Sequence, residues 1–340
     1  MAEDSEIRRP SVGEVLPVIV DDAVKEHFPK ESKLKEAKSH GASFWTRTAR
    51  IDIELSDNTI QSYFMKSSSG ELGMSMLRGE YHGAKTIHKY TPKGIPRPVA
   101  WGTYKSDPNT HFYLCEFVDM TEELPDVHAF SGLLAQLHRS SAEDKDAPSQ
   151  FGFEVMTYEG TMYQDISWSK TWEELYRRRL LSFVDQEAAS QGPSEELRNL
   201  LPELLEKVIP RLLRPLTTHG RSLKPVALHG DIWYGNLATN TATGDPVYFD
   251  CSVFWGHNEY DLSSMPIERY KMGHHWMKEY HKFIDPSDPK EDYEDRSILY
   301  GISNHLCAST LYPDNDAFRK MAIESMARLI QKYPNGYQGE

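Results

Sequence analysis

The feature that most constrains this chain is a pair of short apolar runs, each of which leads into an acidic residue. The first run ends in Ala227-Leu228-His229-Gly230-Asp231, and the second, Val247-Tyr248-Phe249, ends on Asp250. Asn236 lies between the two acids, in the same stretch as Asp231. Such an arrangement suits phosphoryl transfer, because one carboxylate can accept the proton of an attacking hydroxyl. The second carboxylate and the Asn amide oxygen can hold Mg²⁺ against nucleotide phosphates.

The spacing within this stretch resembles the catalytic loop of kinases. His229-Gly230-Asp231 stands where protein kinases have His-Arg-Asp, and the interval from Asp231 to Asn236 is the same. Gly230 lacks the Arg side chain that a phosphorylated activation loop would engage, which favours a small-molecule kinase. The alternative is two unrelated acids in polar turns, because short motifs recur by chance. His-Gly-Asp alone fits both interpretations, and the addition of Asn236 and Asp250 favours the first.

Composition and charge limit the classes of partner. The chain has 340 residues, of which 39% are hydrophobic and 26% charged, as in soluble globular proteins with room for two lobes. The formal net charge is -13. An acidic protein repels polyanions, which argues against nucleic acids and anionic membranes as partners. ATP is also an anion, so a nucleotide site in this chain has to supply local positive charge and a metal ion.

Cysteine usage and the absence of long apolar runs indicate a compartment. Cys115, Cys251 and Cys307 are isolated in the sequence and form neither a disulfide framework nor a CxxC metal pattern. A reducing compartment is the simplest interpretation. Residues 1–10 are polar and contain no apolar signal-peptide region, and no run approaches the length of a membrane span. We therefore expect a cytoplasmic protein without a membrane partner.

The first third of the chain has the pattern of antiparallel strands followed by a helix. Residues 51–55 alternate between apolar and polar side chains, which predicts a half-buried strand, and 60–66 is the expected returning strand. The serines at 67–69 break that pattern, and a helix is expected over 71–90. The charged segment 30–39 is expected to be solvated.

Glu80 lies on the apolar face of this predicted helix, between Met76 and Ala84. A carboxylate on an apolar face is costly without a partner. Lys66, at the end of the preceding strand, is the natural candidate, and a Lys–Glu pair of this kind positions the α- and β-phosphates in kinases. The alternative is a solvated Glu at the rim and an unrelated Lys. The helix alone favours that alternative, and the acidic site downstream favours the pair.

Strand patterns give way to helical patterns near residue 118. Residues 99–104 and 112–118 are a further predicted antiparallel pair. We predict an α+β fold of two lobes, with a small antiparallel-sheet lobe over residues 1–116 and a larger helical lobe over 117–340. The segment that joins them can offer backbone groups to adenine.

Turn and capping residues divide the second lobe. Thr171-Trp172-Glu173-Glu174 is a capping box that opens a helix to about residue 189, and Pro202 and Pro210 are expected to kink or divide a helix over 194–213. The other predicted helices cover residues 126–139, 261–283, 291–311 and 314–333.

With these positions assigned, the chain resembles the fructosamine kinase (ketosamine-3-kinase) family, within the wider group of aminoglycoside phosphotransferases and choline-kinase-like proteins. His-Gly-Asp marks the wider group, whereas the Trp in the catalytic loop and Gly-His-x-Glu after the second Asp are more specific. The stretches that carry the resemblance are 229–236 and 250–259, with support from 64–66, 79–80, 115–117, 137–138 and 151–153.

The resemblance implies a protein-kinase-like fold and a reaction. ATP phosphorylates the 3-hydroxyl of a ketosamine, the adduct of a sugar on an amine, and the unstable product sheds the sugar, which repairs glycated protein. The implied roles are a catalytic base at Asp231, Mg²⁺ ligands at Asn236 and Asp250, and phosphate contacts at Lys66 and Glu80. Adenine is bound by Glu116, Phe117 and Val118, and Trp233 is a platform for the sugar or the glycated lysine stem.

The chain departs from the family pattern at three positions. Tyr234 replaces a Ser after the loop Trp, and Cys251 replaces a Pro after the second Asp. Both lie near the substrate and leave its identity open. Ser43 stands where some members have a redox-sensitive Cys, which argues against redox control through that loop.

Two rival functions use the same residues. A kinase for another alcohol, such as an aminoglycoside, choline or a pathway metabolite, would differ only in its acceptor pocket. A pseudokinase that acts as a binding protein is disfavoured, because Lys66, Glu80, Asp231, Asn236 and Asp250 are all present. The scarcity of glycine in the loop around Gly41 is the one feature in its favour.

Overall fold

A five-stranded antiparallel sheet forms the first part of the chain in a computed structural model, which describes residues 15–121 and 123–339. The polar segment at residues 1–10 lies outside this range. The spatial order of the strands is β1-β2-β3-β5-β4. The strands are β1 (Lys33–Ser39), β2 (Arg47–Glu54), β3 (Ile60–Ser69), β4 (Pro98–Thr103) and β5 (Thr110–Glu116).

Alternation along β2 produces the buried face of this sheet. Ala49, Ile51 and Ile53 are buried, while the residues between them are partly exposed. The predicted strands at 51–55 and 60–66 are therefore confirmed. In the turn between them, Asn58 has a φ of 66° and Asp57 accepts a hydrogen bond from the Thr59 N–H.

One prediction in this part was wrong. Residues 67–69 continue β3, since their backbones pair with residues 110–112 of β5, and pairing with a neighbouring strand outweighs the weak strand preference of serine.

Segment 30–39 is solvated as predicted, since its side chains are exposed or partly exposed. Residues 33–39 also form strand β1, which was not predicted, and the position of β1 at the sheet edge explains the polar sequence.

Helices account for most of the regular structure after the sheet. The helix predicted over 71–90 is α2 (Gly70–Tyr90), which packs against β4 and β5. A short α1 (Asp22–Lys25) precedes the sheet. The later helices are α3 (Val127–Glu143), α4 (Trp172–Gln191), α5 (Glu195–Glu203), α6 (Ile209–Leu213), α7 (His274–Tyr280), α8 (Tyr293–Leu311) and α9 (Ala317–Lys332). The expected α+β architecture is confirmed. The lobe boundary between residues 116 and 117 stays a prediction.

Capping and proline signals behave as expected. The Thr171 and Glu174 side chains form both hydrogen bonds of a capping box at the start of α4. The helix predicted over 194–213 is divided into α5, a π-helical turn (Leu204–Val208) and α6, with Pro202 and Pro210 near the junctions.

The continuous helix predicted over 261–283 was wrong. The chain forms 3₁₀ turns at Asn258–Leu262 and Glu268–Tyr270, and only then begins α7. Pro266 lacks the N–H that a helix interior requires, and Gly273 has a φ of 87°, which breaks the helical path.

Short strands position the central motif within a large buried core. Strand β9 (Val226–Leu228) pairs with β12 (Phe254–Gly256), and β10 (Leu237–Asn240) lies between β11 (Pro246–Tyr248) and β6 (Met120–Thr121). Strands β7 (Tyr158–Glu159) and β8 (Met162–Tyr163) form a hairpin before β9.

None of the described helices is long and apolar enough to cross a membrane.

Candidate active site

The turn after β9 requires a glycine for two reasons. Gly230 has a φ of 86°, a conformation that side chains disfavour, and a Cβ atom there would lie 2.1 Å from the Ser252 carbonyl oxygen. The Ser252 N–H donates to the His229 carbonyl at 2.8 Å. The segment after Asp250 is thus packed directly on the turn that precedes Asp231.

The His229 side chain is fully buried and links the two acidic segments. Its Nε2 atom lies 3.0 Å from the Phe249 carbonyl oxygen, and its Nδ1 atom accepts the Asp231 N–H at 3.3 Å. Burial lowers the pKa of His229, against the opposing effect of the Asp261 carboxylate. A neutral ring that donates from Nε2 and accepts at Nδ1 satisfies both hydrogen bonds.

Asp261 is a functional residue that the sequence reasoning missed. Its buried carboxylate accepts the backbone N–H groups of His229 and Gly230, both at 2.8 Å, and lies 3.2 Å from His138 Nε2. The residue was assigned to a helix, whereas its side chain holds the backbone immediately before Asp231. No spacing signal pointed to this role, and His138 had been noted only within the family resemblance.

We expect Asp261→Asn to destabilise the protein strongly. An amide offers one acceptor oxygen, and its NH₂ group would face backbone N–H donors. Each buried polar group left unpaired costs about 1–3 kcal/mol, so the free energy of unfolding is expected to fall by about 2–4 kcal/mol in denaturant titrations. Asp245→Asn, at an exposed turn, is the control. Equal stability of the two variants would show that Asp261 does not hold the turn.

Asn236 connects the two acidic residues. Its Nδ2 atom donates to the Asp231 carboxylate and to the Asp231 carbonyl, both at 2.9 Å, and lies 3.5 Å from the Asp250 carbonyl. The residue is 4% exposed. The amide nitrogen is therefore directed at the Asp231 loop, and the amide oxygen is the atom left for a cation.

Burial raises the pKa of Asp231 well above its ordinary range. The negative charge of Glu159 acts in the same direction, followed by those of Asp250 and Asp261, while the hydrogen bond from Asn236 opposes them. Carboxylates gathered at one place resist full ionisation. A carboxylate with a raised pKa is a stronger base than an ordinary aspartate.

Lys66, on β3, contacts two carboxylates at once. Its ammonium lies 2.6 Å from Glu80 Oε1 on α2, which confirms the predicted proximity of this pair, and it also contacts Asp250 Oδ1. Burial alone would lower the pKa of Lys66, but the two carboxylates offset this and raise it. Burial and the Asp250 charge raise the pKa of Glu80 to about 7, against the effect of Lys66. The Lys66 ammonium is shared by the carboxylates of Glu80 and Asp250, so this group of three side chains can accept a further cation.

Backbone hydrogen bonds define the segment 116–118, which begins at the last residue of β5. The N–H groups of Glu116 and Phe117 donate to the Arg97 and Ser62 carbonyls at 2.9 and 3.0 Å, so they are already engaged. Within the described parts of the chain, the Val118 N–H makes no hydrogen bond. The Glu116 side chain pairs with the Arg97 guanidinium at 2.6 Å.

Trp233 is partly buried against aromatic neighbours. Its ring meets Tyr234 edge to face, with centroids 4.9 Å apart, and lies 6.1 Å from the Tyr270 ring. A Cβ atom on Gly235 would lie 2.3 Å from the indole, so the ring can pack in this position only because residue 235 is a glycine. The structure thus joins five predicted residues directly: Lys66, Glu80, Asp250, Asn236 and Asp231. Trp233 instead contacts Tyr234 and Tyr270. Residues 116 and 117 bond to Arg97 and Ser62.

Comparisons with known sequences identify related proteins. A family model described as fructosamine kinase matches residues 20–332. The chain is 26% identical over 244 residues to the chloroplastic protein-ribulosamine 3-kinase of Oryza sativa subsp. japonica, which covers 72% of this chain and 67% of that protein. It is 28% identical over 263 residues to ketosamine-3-kinase of Mus musculus, with 72% and 80% covered.

Solved structures share the fold. A candidate fructosamine-3-kinase from Thermobifida fusca YX-ER1 superposes with a TM-score of 0.66 at 20% identity, covering 88% of this chain and 94% of that one. A thermostable mutant of aminoglycoside phosphotransferase APH(4)-Ia, in complex with AMP-PNP and hygromycin B, gives 0.57 at 12% identity, with 88% and 94% covered. The predicted two-lobed, protein-kinase-like fold is therefore confirmed.

Proposed function

The chain belongs to the fructosamine kinase family, and from this premise we propose that it is an ATP-dependent kinase for the 3-hydroxyl of ketosamines, including ribulosamine and fructosamine adducts on protein lysines. The observation that carries the proposal is the connected set of Lys66, Glu80, Asp250, Asn236 and Asp231. Relatives named ribulosamine and ketosamine kinases support the choice of acceptor.

Asp231 is the proposed base for the acceptor hydroxyl. As the 3-oxygen attacks the γ-phosphorus, its proton passes to the Asp231 carboxylate and the bond from γ-phosphorus to the bridging oxygen of ADP breaks. Positioning supplies most of the catalysis in such transfers. The Asn236 amide and the backbone turn held by Asp261 fix the carboxylate for this step.

Asn236 and Asp250 are the proposed Mg²⁺ ligands. A carboxylate and an amide oxygen are hard donors of the kind that Mg²⁺ prefers, so the residues fit the ion. In the part of the chain described, no group of three or more His, Cys, Asp or Glu side chains could hold a metal by itself. The two residues would therefore share the ion with nucleotide phosphates. When bound, Mg²⁺ neutralises phosphate charge.

Lys66 is proposed to contact the α- and β-phosphates while Glu80 keeps its ammonium in place. For the nucleotide base, we propose backbone contacts from the segment Glu116, Phe117 and Val118. The Val118 N–H is the proposed donor to adenine, since the other two N–H groups are engaged.

We also propose that the protein acts in the cytoplasm, without nucleic-acid or membrane partners. Its three free cysteines are buried, as expected in a reducing compartment, and its net charge is -13. Fluorescence microscopy of the tagged protein tests the location, and retention of the protein on DNA or anionic vesicles would contradict the partner proposal.

Release of ADP from ATP, measured with different acceptors, tests the function. Ribulosamine and fructosamine adducts of acetylated lysine are expected to support turnover, and unmodified lysine is not. Choline and an aminoglycoside are the competing acceptors. Turnover with either of these, and none with any ketosamine, would assign the chain to the rival class of alcohol kinases. Failure with every acceptor, despite ATP binding, would favour a binding protein.

Trp233→Ala is expected to raise the KM for a ketosamine about fivefold, because an aromatic contact contributes about 1 kcal/mol. The affinity for ATP should stay nearly unchanged, because Trp233 lies on the acceptor side of Asp231. Initial rates at varied ketosamine and at varied ATP separate the two effects. Trp233→Phe, which keeps an aromatic ring against Tyr270, is the control and should retain most of the acceptor affinity. An unchanged ketosamine KM would reduce Trp233 to a packing role.

A further inference from the structure

The loop between β1 and β2 reaches across to the second half of the chain. Its Phe44 ring meets the Tyr312 ring edge to face, with centroids 6.5 Å apart and planes at 84°. Its Trp45 ring lies against Gly160, where a Cβ atom would be 3.1 Å from the indole. The loop lies within the predicted nucleotide-binding lobe, residues 1–116. Both of its contacts, Gly160 and Tyr312, belong to the predicted second lobe.

The loop holds its aromatic side chains in defined positions. Ser43 Oγ accepts the backbone N–H groups of Trp45 and Thr46, both at 3.2 Å, and lies 3.1 Å from the Thr46 hydroxyl. Trp45 is partly buried, whereas Phe44 is 51% exposed. A phosphate-covering loop needs glycine for close approach. This loop instead presents two large rings.

The two residues that contact these rings, Gly160 and Tyr312, are linked to the proposed catalytic base through their neighbours. Gly160 is the turn residue of the β7–β8 hairpin, and the buried Glu159 beside it is close enough for its charge to act on Asp231. Tyr312 follows α8 and packs, with Trp233, against the buried cluster of Tyr270, Ala308 and Phe318. Aromatic surface therefore continues from the β1–β2 loop to the loop that carries Asp231.

We propose that Trp45 and Phe44 form a wall of the acceptor site and determine its specificity, continuous with the aromatic surface of Trp233 and Tyr312. The inference rests on the proposed function and extends it. Aromatic faces suit the C–H faces of a sugar, and they also attract a protonated amine such as that of a ketosamine. The β1–β2 loop then contacts the acceptor.

Trp45→Ala tests this wall, with Trp168→Ala as the control. Trp168 is an exposed Trp beside Pro148, Ser149 and Gln150. Trp45→Ala is expected to raise the ketosamine KM about tenfold, with the ATP dissociation constant, from equilibrium titration without acceptor, changed less than about twofold. Trp168→Ala should change neither. A weaker ATP affinity with an unchanged ketosamine KM would overturn the proposal.

Gly160→Ala is the second test, because the added Cβ would lie 2.9 Å from Leu311 Cδ1 and 3.1 Å from the Trp45 ring, and so crowds that ring without removing it. Gly244→Ala is its control, since Gly244 has a similar left-handed φ, 74° against 59°, but no atom within 4 Å of the added Cβ. Both variants bear the same backbone strain. Only Gly160→Ala is expected to raise the ketosamine KM, and equal effects would overturn the proposed wall.

Failure of the proposed function can be distinguished from failure of the proposed Trp45 and Phe44 wall. If the wild type phosphorylates another alcohol and no ketosamine, the substrate assignment falls, and the Trp45 variants are measured on that alcohol. If no acceptor is turned over, calorimetric titration of a ketosamine into the protein with ADP and Mg²⁺ measures how tightly the proposed wall binds the ketosamine. Equal binding to the wild type and Trp45→Ala, or none to either, would overturn the inference.

Discussion

Asp231→Asn is expected to lower the turnover number for a ketosamine by about 10³- to 10⁴-fold, while ATP still binds. A positioned base contributes about 10²–10⁴ to such a rate, and an amide cannot take the hydroxyl proton. The amide oxygen can still accept the hydrogen bond from Asn236, so the loop geometry is retained. Single-turnover ADP release and equilibrium ATP titration measure the two effects. Turnover within about tenfold of the wild type would exclude Asp231 as the base.

The pH dependence provides an independent measure of the same group. Because the pKa of Asp231 is raised, the wild-type rate should fall as pH is lowered through that raised value, since only the ionised carboxylate accepts a proton. The residual rate of Asp231→Asn should lack this limb. A wild-type rate that stays constant down to the ordinary range of aspartate would contradict the raised pKa.

Stability should change in the opposite direction to activity. With a folded-state pKa above that of the unfolded chain, Asp231 binds its proton in the folded protein at pH values where the unfolded chain has released it. The free energy of unfolding therefore falls as pH rises from the unfolded to the folded pKa. Asp231→Asn avoids this loss, so its thermal midpoint above that window should be equal to or higher than that of the wild type. A lower midpoint would indicate that the loop had been disturbed.

Local sequence signals were sufficient where a residue's neighbours determine its structure. The alternation over 51–55 predicted β2, and Thr171 with Glu174 predicted the start of α4. Glu80 was informative for a related reason: a carboxylate on an apolar helix face requires a partner, and Lys66, at the end of the preceding strand, was the natural candidate. Their contact at 2.6 Å follows from that requirement.

Sequence reasoning failed where the deciding partner is distant along the chain. Segment 33–39 is a strand because β2 pairs with it, a fact that its polar residues do not encode. Asp261 binds backbone N–H groups 31 and 32 residues away, and the backbone has no residue identity to detect. The contact of Lys66 with Asp250, 184 residues apart, was likewise not predicted, because Asp250 had been assigned only to the metal.

Asp250→Ala is expected to abolish Mg²⁺-dependent turnover, with a loss of at least about 10³-fold, because a metal-bound phosphate contact cannot form. The side chain is 48% exposed, so its removal should leave the fold largely intact. Asp250 has a φ of 56°, which alanine adopts less readily than asparagine. Asp250→Asn is therefore the control that retains the backbone conformation and a weaker oxygen ligand.

The Mg²⁺ titration separates a metal ligand from a partner of Lys66. Loss of Asp250 leaves Lys66 paired with Glu80, so the ammonium still has a counter-charge and can still contact phosphate. If Asp250 binds the ion, Asp250→Asn should regain activity as Mg²⁺ is raised, whereas Asp250→Ala should not. If Asp250 acts only on Lys66, both variants should show the same Mg²⁺ dependence as the wild type. Unchanged activity over the titration would refute the metal role.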